Sequence, residues 1–124
     1  MAKVCLLIED NEPVALVYSR ALQQEGFAVV ITGCVESAVL FMQTERFDVV
    51  ITDIALPGGS ALELLPELRR ATSAPVIAIT GYDVEREDIR KAGFDAAFQK
   101  PVSVPELAET IRRLTDERRR EGDA

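Results

Sequence analysis

The chain has no histidine and no tryptophan, only two cysteines, and no apolar run longer than about five residues. Without histidine there can be no Ser-His-Asp or Cys-His catalysis, no imidazole metal ligand and no phosphohistidine on this polypeptide. Any phosphoryl group that moves here must come from another molecule. The longest apolar stretches, such as "VCLLI" and "FAVVI", fall far short of the roughly 20 residues of a membrane span. Acids arrive at Glu9 and Asp10, too early for a signal peptide, so a cytoplasmic location is expected. Basic residues are outnumbered 14 to 21, and a net charge of −7 argues against nonspecific binding to nucleic acid or anionic membrane. Cys5 falls in an apolar run and Cys34 just after another, which favours two reduced thiols over a disulfide.

What is present is the composition of one soluble globular domain: 124 residues, 48 % apolar and 28 % charged. Short β-branched runs at 4–8, 28–31, 48–52, 76–79 and 95–98 alternate with helical stretches at 12–25, 35–45, 61–71, 84–92 and from 103 onward. Near-continuous apolar strands point to a parallel sheet buried on both faces. Gly26 and Gly93 close the first and fourth helices, Pro66 should bend or shorten the third, and "SVPE" at 103–106 reads as a capping box for the last. The pattern is (βα)5, a flavodoxin-like doubly wound parallel sheet with strand order 2-1-3-4-5 and ligands at the carboxyl ends of the strands. The core spans about 3–116, and 117–124 form a solvated tail of the last helix.

Chemistry collects at that carboxyl edge. The first strand ends in Glu9-Asp10, the third in Asp53, the fourth in Thr80-Gly81 and the fifth in Gln99-Lys100-Pro101. Three carboxylates brought together repel unless cations intervene. Lys100 supplies one positive charge, and a hard divalent ion such as Mg²⁺ suits the oxygen donors that remain. A carboxylate nucleophile, a lysine and a hydroxyl on one rim form a set for phosphoryl transfer. Asp53 would attack phosphorus, Lys100 would neutralise the phosphoryl oxygens and Thr80 would donate a hydrogen bond.

At this point the sequence resembles the receiver domain of two-component response regulators, through "LLIEDNEP", "VVITDIALPGG", "IAITGY" and "FQKPV". The resemblance covers about residues 3–116 and implies a phosphoacceptor role for Asp53. It also implies Mg²⁺ held by Glu9, Asp10, Asp53 and the backbone carbonyl of Ala55, and a histidine kinase or histidine phosphotransfer protein as phosphate donor. Such a chain is a signalling module, not an enzyme beyond its own phosphorylation and dephosphorylation. It is expected to stand alone and to act through protein contacts, including a homodimer, by way of its fourth helix, fifth strand and fifth helix.

There are three departures from that family. Where an aromatic switch residue usually precedes the lysine by three there is Ala97, and the adjacent Phe98 should face the other side of its strand. Tyr82 is a candidate substitute. Ala55 and Tyr82 occupy the two positions that tune dephosphorylation, and an apolar residue beside a bulky one predicts a slow autophosphatase. Ala61 replaces a common glycine without evident harm. Two competing readings follow. In a phosphatase of the haloacid dehalogenase type a second Asp would stand at position 55, where there is alanine. A pseudo-receiver that binds partners without phosphate is the alternative that Ala97 keeps open.

Overall fold

The computed structural model describes residues 2–56, 59–81 and 86–123. In chain order these form β1 (Val4–Ile8), α1 (Glu12–Gln24), β2 (Ala28–Thr32), α2 (Val35–Thr44), β3 (Val49–Asp53), β4 (Ala55–Leu56), β5 (Gly59–Ser60), α3 (Ala61–Ala71), β6 (Val76–Thr80), α4 (Arg86–Lys91), β7 (Ala96–Gln99) and α5 (Val104–Asp123). Five strands make one parallel sheet in the order β2-β1-β3-β6-β7, which is the expected 2-1-3-4-5 with β6 and β7 as its fourth and fifth members. The two-residue strands β4 and β5 pair antiparallel in a separate ribbon that the sequence reading did not include. Strands this short carry no periodicity to read.

Strand alternation divides the core into two layers. Leu6 and Ile8 of β1, Val50 of β3 and Val76 and Ala78 of β6 face one way and bury Leu65 and Leu68 of α3 and Ile89 of α4. Cys5 and Leu7, Ile51, and Ile77 and Ile79 face the other way and bury Leu22 of α1 and Leu107 and Ile111 of α5. Each of these Leu and Ile side chains is essentially inaccessible, worth about 1.5–3 kcal/mol apiece on burial. Both faces of the central strands are covered, and for that reason their sequences read as unbroken apolar runs.

The helix ends follow local chemistry. Asn11 caps α1 by accepting from Val14 N–H at 3.1 Å, and Gly26 follows with φ +97°. Gly93, beyond α4, has φ +111°. Ser103 accepts from Glu106 N–H at 3.4 Å, the backbone half of the expected capping box. α3 covers the expected span and runs through Pro66 to Ala71. Pro66 itself lies on the solvent side of the helix. Both cysteines are free, as expected.

Long-range polar ties close the fold. Arg69 of α3 reaches Asp95 at 2.9 Å and the carbonyl of Gly93, and Asp95 also accepts Val76 N–H at 2.8 Å. On the opposite layer, Arg112 of α5 stacks over Phe27 at 5.3 Å and bonds the carbonyl and carboxylate of Glu25. One turn later Lys3 meets Thr115 at 2.6 Å and Asp116 at 3.0 Å. No helix among the described residues is long and apolar enough to cross a membrane.

Candidate functional site

The parallel register brings the ends of β1, β3, β6 and β7 to one rim. Ile8 pairs with Thr52, Asp53 with Ile79, and Thr80 with Gln99, so the residues just beyond each strand converge. Backbone bonds lock that edge: Glu9 N–H donates to Thr32 C=O at 2.9 Å, Ile54 N–H to Ile79 C=O at 3.0 Å and Lys100 N–H to Thr80 C=O at 2.8 Å. Asp53 is thus the last residue of a rigid central strand, with its carboxylate at the surface of the core rather than within it.

One carboxylate oxygen from each of Glu9, Asp10 and Asp53 lies within 4.8 Å of the other two. Glu9 and Asp53 are buried and Asp10 is exposed. Lys100 spans the buried pair, its Nζ donating to Asp53 Oδ2 at 2.8 Å and to Glu9 Oε2 at 3.3 Å. The other oxygens are also engaged: Asp53 Oδ1 accepts Ala55 N–H at 3.2 Å, and Glu9 Oε1 accepts Asn11 N–H at 3.3 Å. Thr52, fully buried behind Asp53, donates its hydroxyl to the Asp53 carbonyl at 2.9 Å. Thr80 ends β6 on the same rim and is buried.

The electrostatics match this crowding. Burial, and then the hydrogen bond and charge of Asp53, push the Glu9 carboxyl above the ordinary glutamate range, with Lys100 pulling back in part. For Lys100, burial pulls the ammonium down, but its bonds to Asp53 and Glu9 outweigh that and leave it above the usual lysine value. A single lysine therefore does not satisfy the acids, and an all-oxygen set with one exposed member fits a hard divalent cation. Glu9, Asp10 and Asp53 form the one such group of three among the described residues.

Every site residue expected from the sequence falls on this rim, with Ala55 placed on β4 immediately beyond it. Ala97 faces the α3–α4 layer and Phe98 packs against the α1–α5 layer, as strand parity requires. Tyr82, the candidate substitute switch, lies outside the described residues. Asn11 and Thr52 escaped the sequence reading, because each acts by a hydrogen bond to its neighbours that no spacing announces.

Residues 5–112 match the family model of the response regulator receiver domain. Among curated proteins, the chain is 34 % identical over 109 residues to the sensory transduction protein RegX3 of Mycolicibacterium smegmatis, covering 86 % of this chain and 48 % of that protein. It is 32 % identical over 117 residues to the polar-differentiation response regulator DivK of Brucella anthropi, covering 90 % and 95 %. The chain thus spans about half the length of the one relative and nearly all of the other. Among solved structures, a CheY-like response regulator receiver domain protein from Methanospirillum hungatei superposes with TM-score 0.87 at 27 % identity, over 98 % of this chain and 99 % of that one. The receiver domain of the sensor histidine kinase PA1611 from Pseudomonas aeruginosa, whose active-site cleft coordinates a magnesium ion, gives TM-score 0.83 at 26 % identity over 94 % and 99 %. With its sheet order, its acidic rim and a family match over most of its length, the chain belongs to the receiver domains of two-component response regulators.

Proposed function

We propose that Asp53 accepts a phosphoryl group from the phosphohistidine of a histidine kinase or histidine phosphotransfer protein, and that the whole chain, 1–124, works as one such receiver in the cytoplasm. The observation that carries this is the bridging of Asp53 and Glu9 by Lys100 beside an exposed Asp10, on the one edge where a partner can approach a strand-end carboxylate. An Asp53 carboxylate oxygen attacks phosphorus as the N–P bond of the donor breaks, and the product is a mixed carboxylic–phosphoric anhydride. Lys100 meets the charge on the phosphoryl oxygens, and the Thr80 hydroxyl donates to one of them. Mg²⁺ held by Glu9, Asp10, Asp53 and the Ala55 carbonyl would supply the remaining positive charge. The Ala55 N–H and Lys100 already hold the two Asp53 oxygens apart and oriented, which lowers the ordering left to do on reaction.

The face built from α4, β7 and α5 is the proposed contact for an output protein or a second copy. The full acid set with its lysine gives no support to a module that works without phosphate. Intact-mass measurement after incubation with acetyl phosphate and Mg²⁺ tests the assignment. One added phosphoryl group, absent in Asp53→Asn and without Mg²⁺, is the expected result. An adduct of equal yield in Asp53→Asn would remove Asp53 from its role.

A further inference from the structure

We infer that the outer edge of β2 is a self-association surface, at which two copies pair β2 against β2 antiparallel about a twofold axis. This edge lies at the end of the sheet opposite the α4–β7–α5 face and does not depend on phosphorylation.

Among the described residues, the exposed large apolar side chains are Leu16 and Val17 of α1, Ile31 of β2 and Leu40 and Phe41 of α2. All five belong to the edge strand and the two helices that flank it, one on each face of the sheet. Val17 and Leu40 are 66 % and 63 % exposed, so they are not core residues glimpsed through gaps. Single exposed apolar residues need no explanation, but their grouping, among the described residues, on one edge strand and its two flanking helices points to an interaction surface.

The strand itself is built to pair. Ala28 N–H bonds Lys3 C=O and Thr32 C=O receives Glu9 N–H, so even-numbered residues of β2 face β1. Alternation then turns the N–H and C=O of Val29 and Ile31 outward. An edge of this kind is ordinarily blunted by Lys, Pro or a bulge. "FAVVITG" at 27–33 contains no charge and no proline, whereas the other edge strand, β7, is four residues long and bounded by Asp95 and Lys100-Pro101.

The occupant follows from these features. Nothing charged on the edge would select a charged peptide. A neutral antiparallel edge is complementary to itself, and it lets two chains of charge −7 meet without placing like charges opposite each other. The register is fixed by which groups point outward. Val29 of one copy and Ile31 of the other exchange two hydrogen bonds, the symmetry-related pair exchanges two more, and Val30 meets its twin on the axis.

Sedimentation equilibrium of the full, unphosphorylated chain over a concentration series provides the test, with Ile31→Lys as the edge variant and Arg90→Glu as the variant on the competing α4–β7–α5 face. The expected result is a concentration-dependent dimer whose dissociation constant rises at least about tenfold in Ile31→Lys, since the change enters twice, and is unchanged in Arg90→Glu. A second variant guards against misfolding: Val30→Cys in a Cys34→Ser background. The paired register places the two Cα atoms about 4.5 Å apart, within disulfide range. Oxidation should give a covalent dimer with Val30→Cys and none with Gln99→Cys on β7. A wild-type chain that stays monomeric to about 1 mM, a dimer broken by Arg90→Glu but not by Ile31→Lys, or cross-linking at Gln99→Cys alone would each overturn the inference.

Discussion

Lys100→Met isolates the electrostatic problem that the site is built around. In the wild type, Lys100 donates to both Asp53 and Glu9, whose side chains are 11 % and 5 % exposed, while its own is 26 % exposed. Removing one partner of a buried ion pair costs about 3–5 kcal/mol. The penalty has a ceiling, because Glu9 can escape it by binding a proton. Moving a carboxyl of ordinary pKa about 4.3 to the neutral form at pH 7 costs about 3.7 kcal/mol. With Lys100 partly solvated, about 2–3 kcal/mol is expected at pH 7 in EDTA, a urea midpoint lowered by roughly 1–2 M. The sign of the pH dependence follows from Glu9. Its folded pKa is raised, so the stability tied to its neutral form is complete below the ordinary carboxylate value and is lost as pH rises through the folded value. Losing Lys100 raises that folded value further, so the deficit should be largest near neutrality and shrink toward about pH 4. Millimolar Mg²⁺ should recover part of it at pH 7 by replacing the missing charge. Urea unfolding of both proteins at pH 7 and pH 4.5, with and without Mg²⁺, measures all of this. Equal midpoints at pH 7, or a deficit that does not shrink on acidification, would refute the reasoning.

Other outcomes are expected. Cys5 is buried and its thiol pushed up to about 12, first by desolvation and then by Asp48, whereas hydrogen bonding with Ser37 holds the Cys34 thiol below its usual value. One thiol should therefore react with a disulfide probe in the native chain and two in denaturant, and Cys34→Ser should abolish the native reaction. Once formed, the Asp53 acyl phosphate should decay over minutes or longer in Mg²⁺, since Ala55 offers no polar side-chain group to orient an attacking water. A half-life of seconds by time-resolved mass measurement would contradict this. Gly93→Ala should cost about 1–3 kcal/mol, because φ is +111° and the new Cβ would sit 3.3 Å from Leu65 Cδ2. Gly26→Ala, with φ +97° and nothing within 4 Å, should cost less in the same urea titration.

The site was legible because its residues stand at strand ends, and strand ends are what apolar runs locate best. Asp53 follows "VVIT" and Lys100 follows "AAFQ", so placing the strands placed the chemistry. Strand parity likewise settled that Ala97 and Phe98 face opposite layers. Non-local polar pairs left no such trace. Arg69 meets Asp95 across 26 positions, and Lys3 meets Asp116 across 113, with neither partner standing out from other surface charges. The β4–β5 ribbon escaped for a related reason: two residues per strand hold no repeat.

The two ties on α5 have a mechanical consequence. Arg112 is fastened to Glu25 and Phe27, and Thr115 and Asp116, one turn on, are fastened to Lys3. Arg112, Thr115 and Asp116 share one face of α5, so the ties act as a single seam that sets which side of the helix is turned toward the start of the chain and the turn before β2.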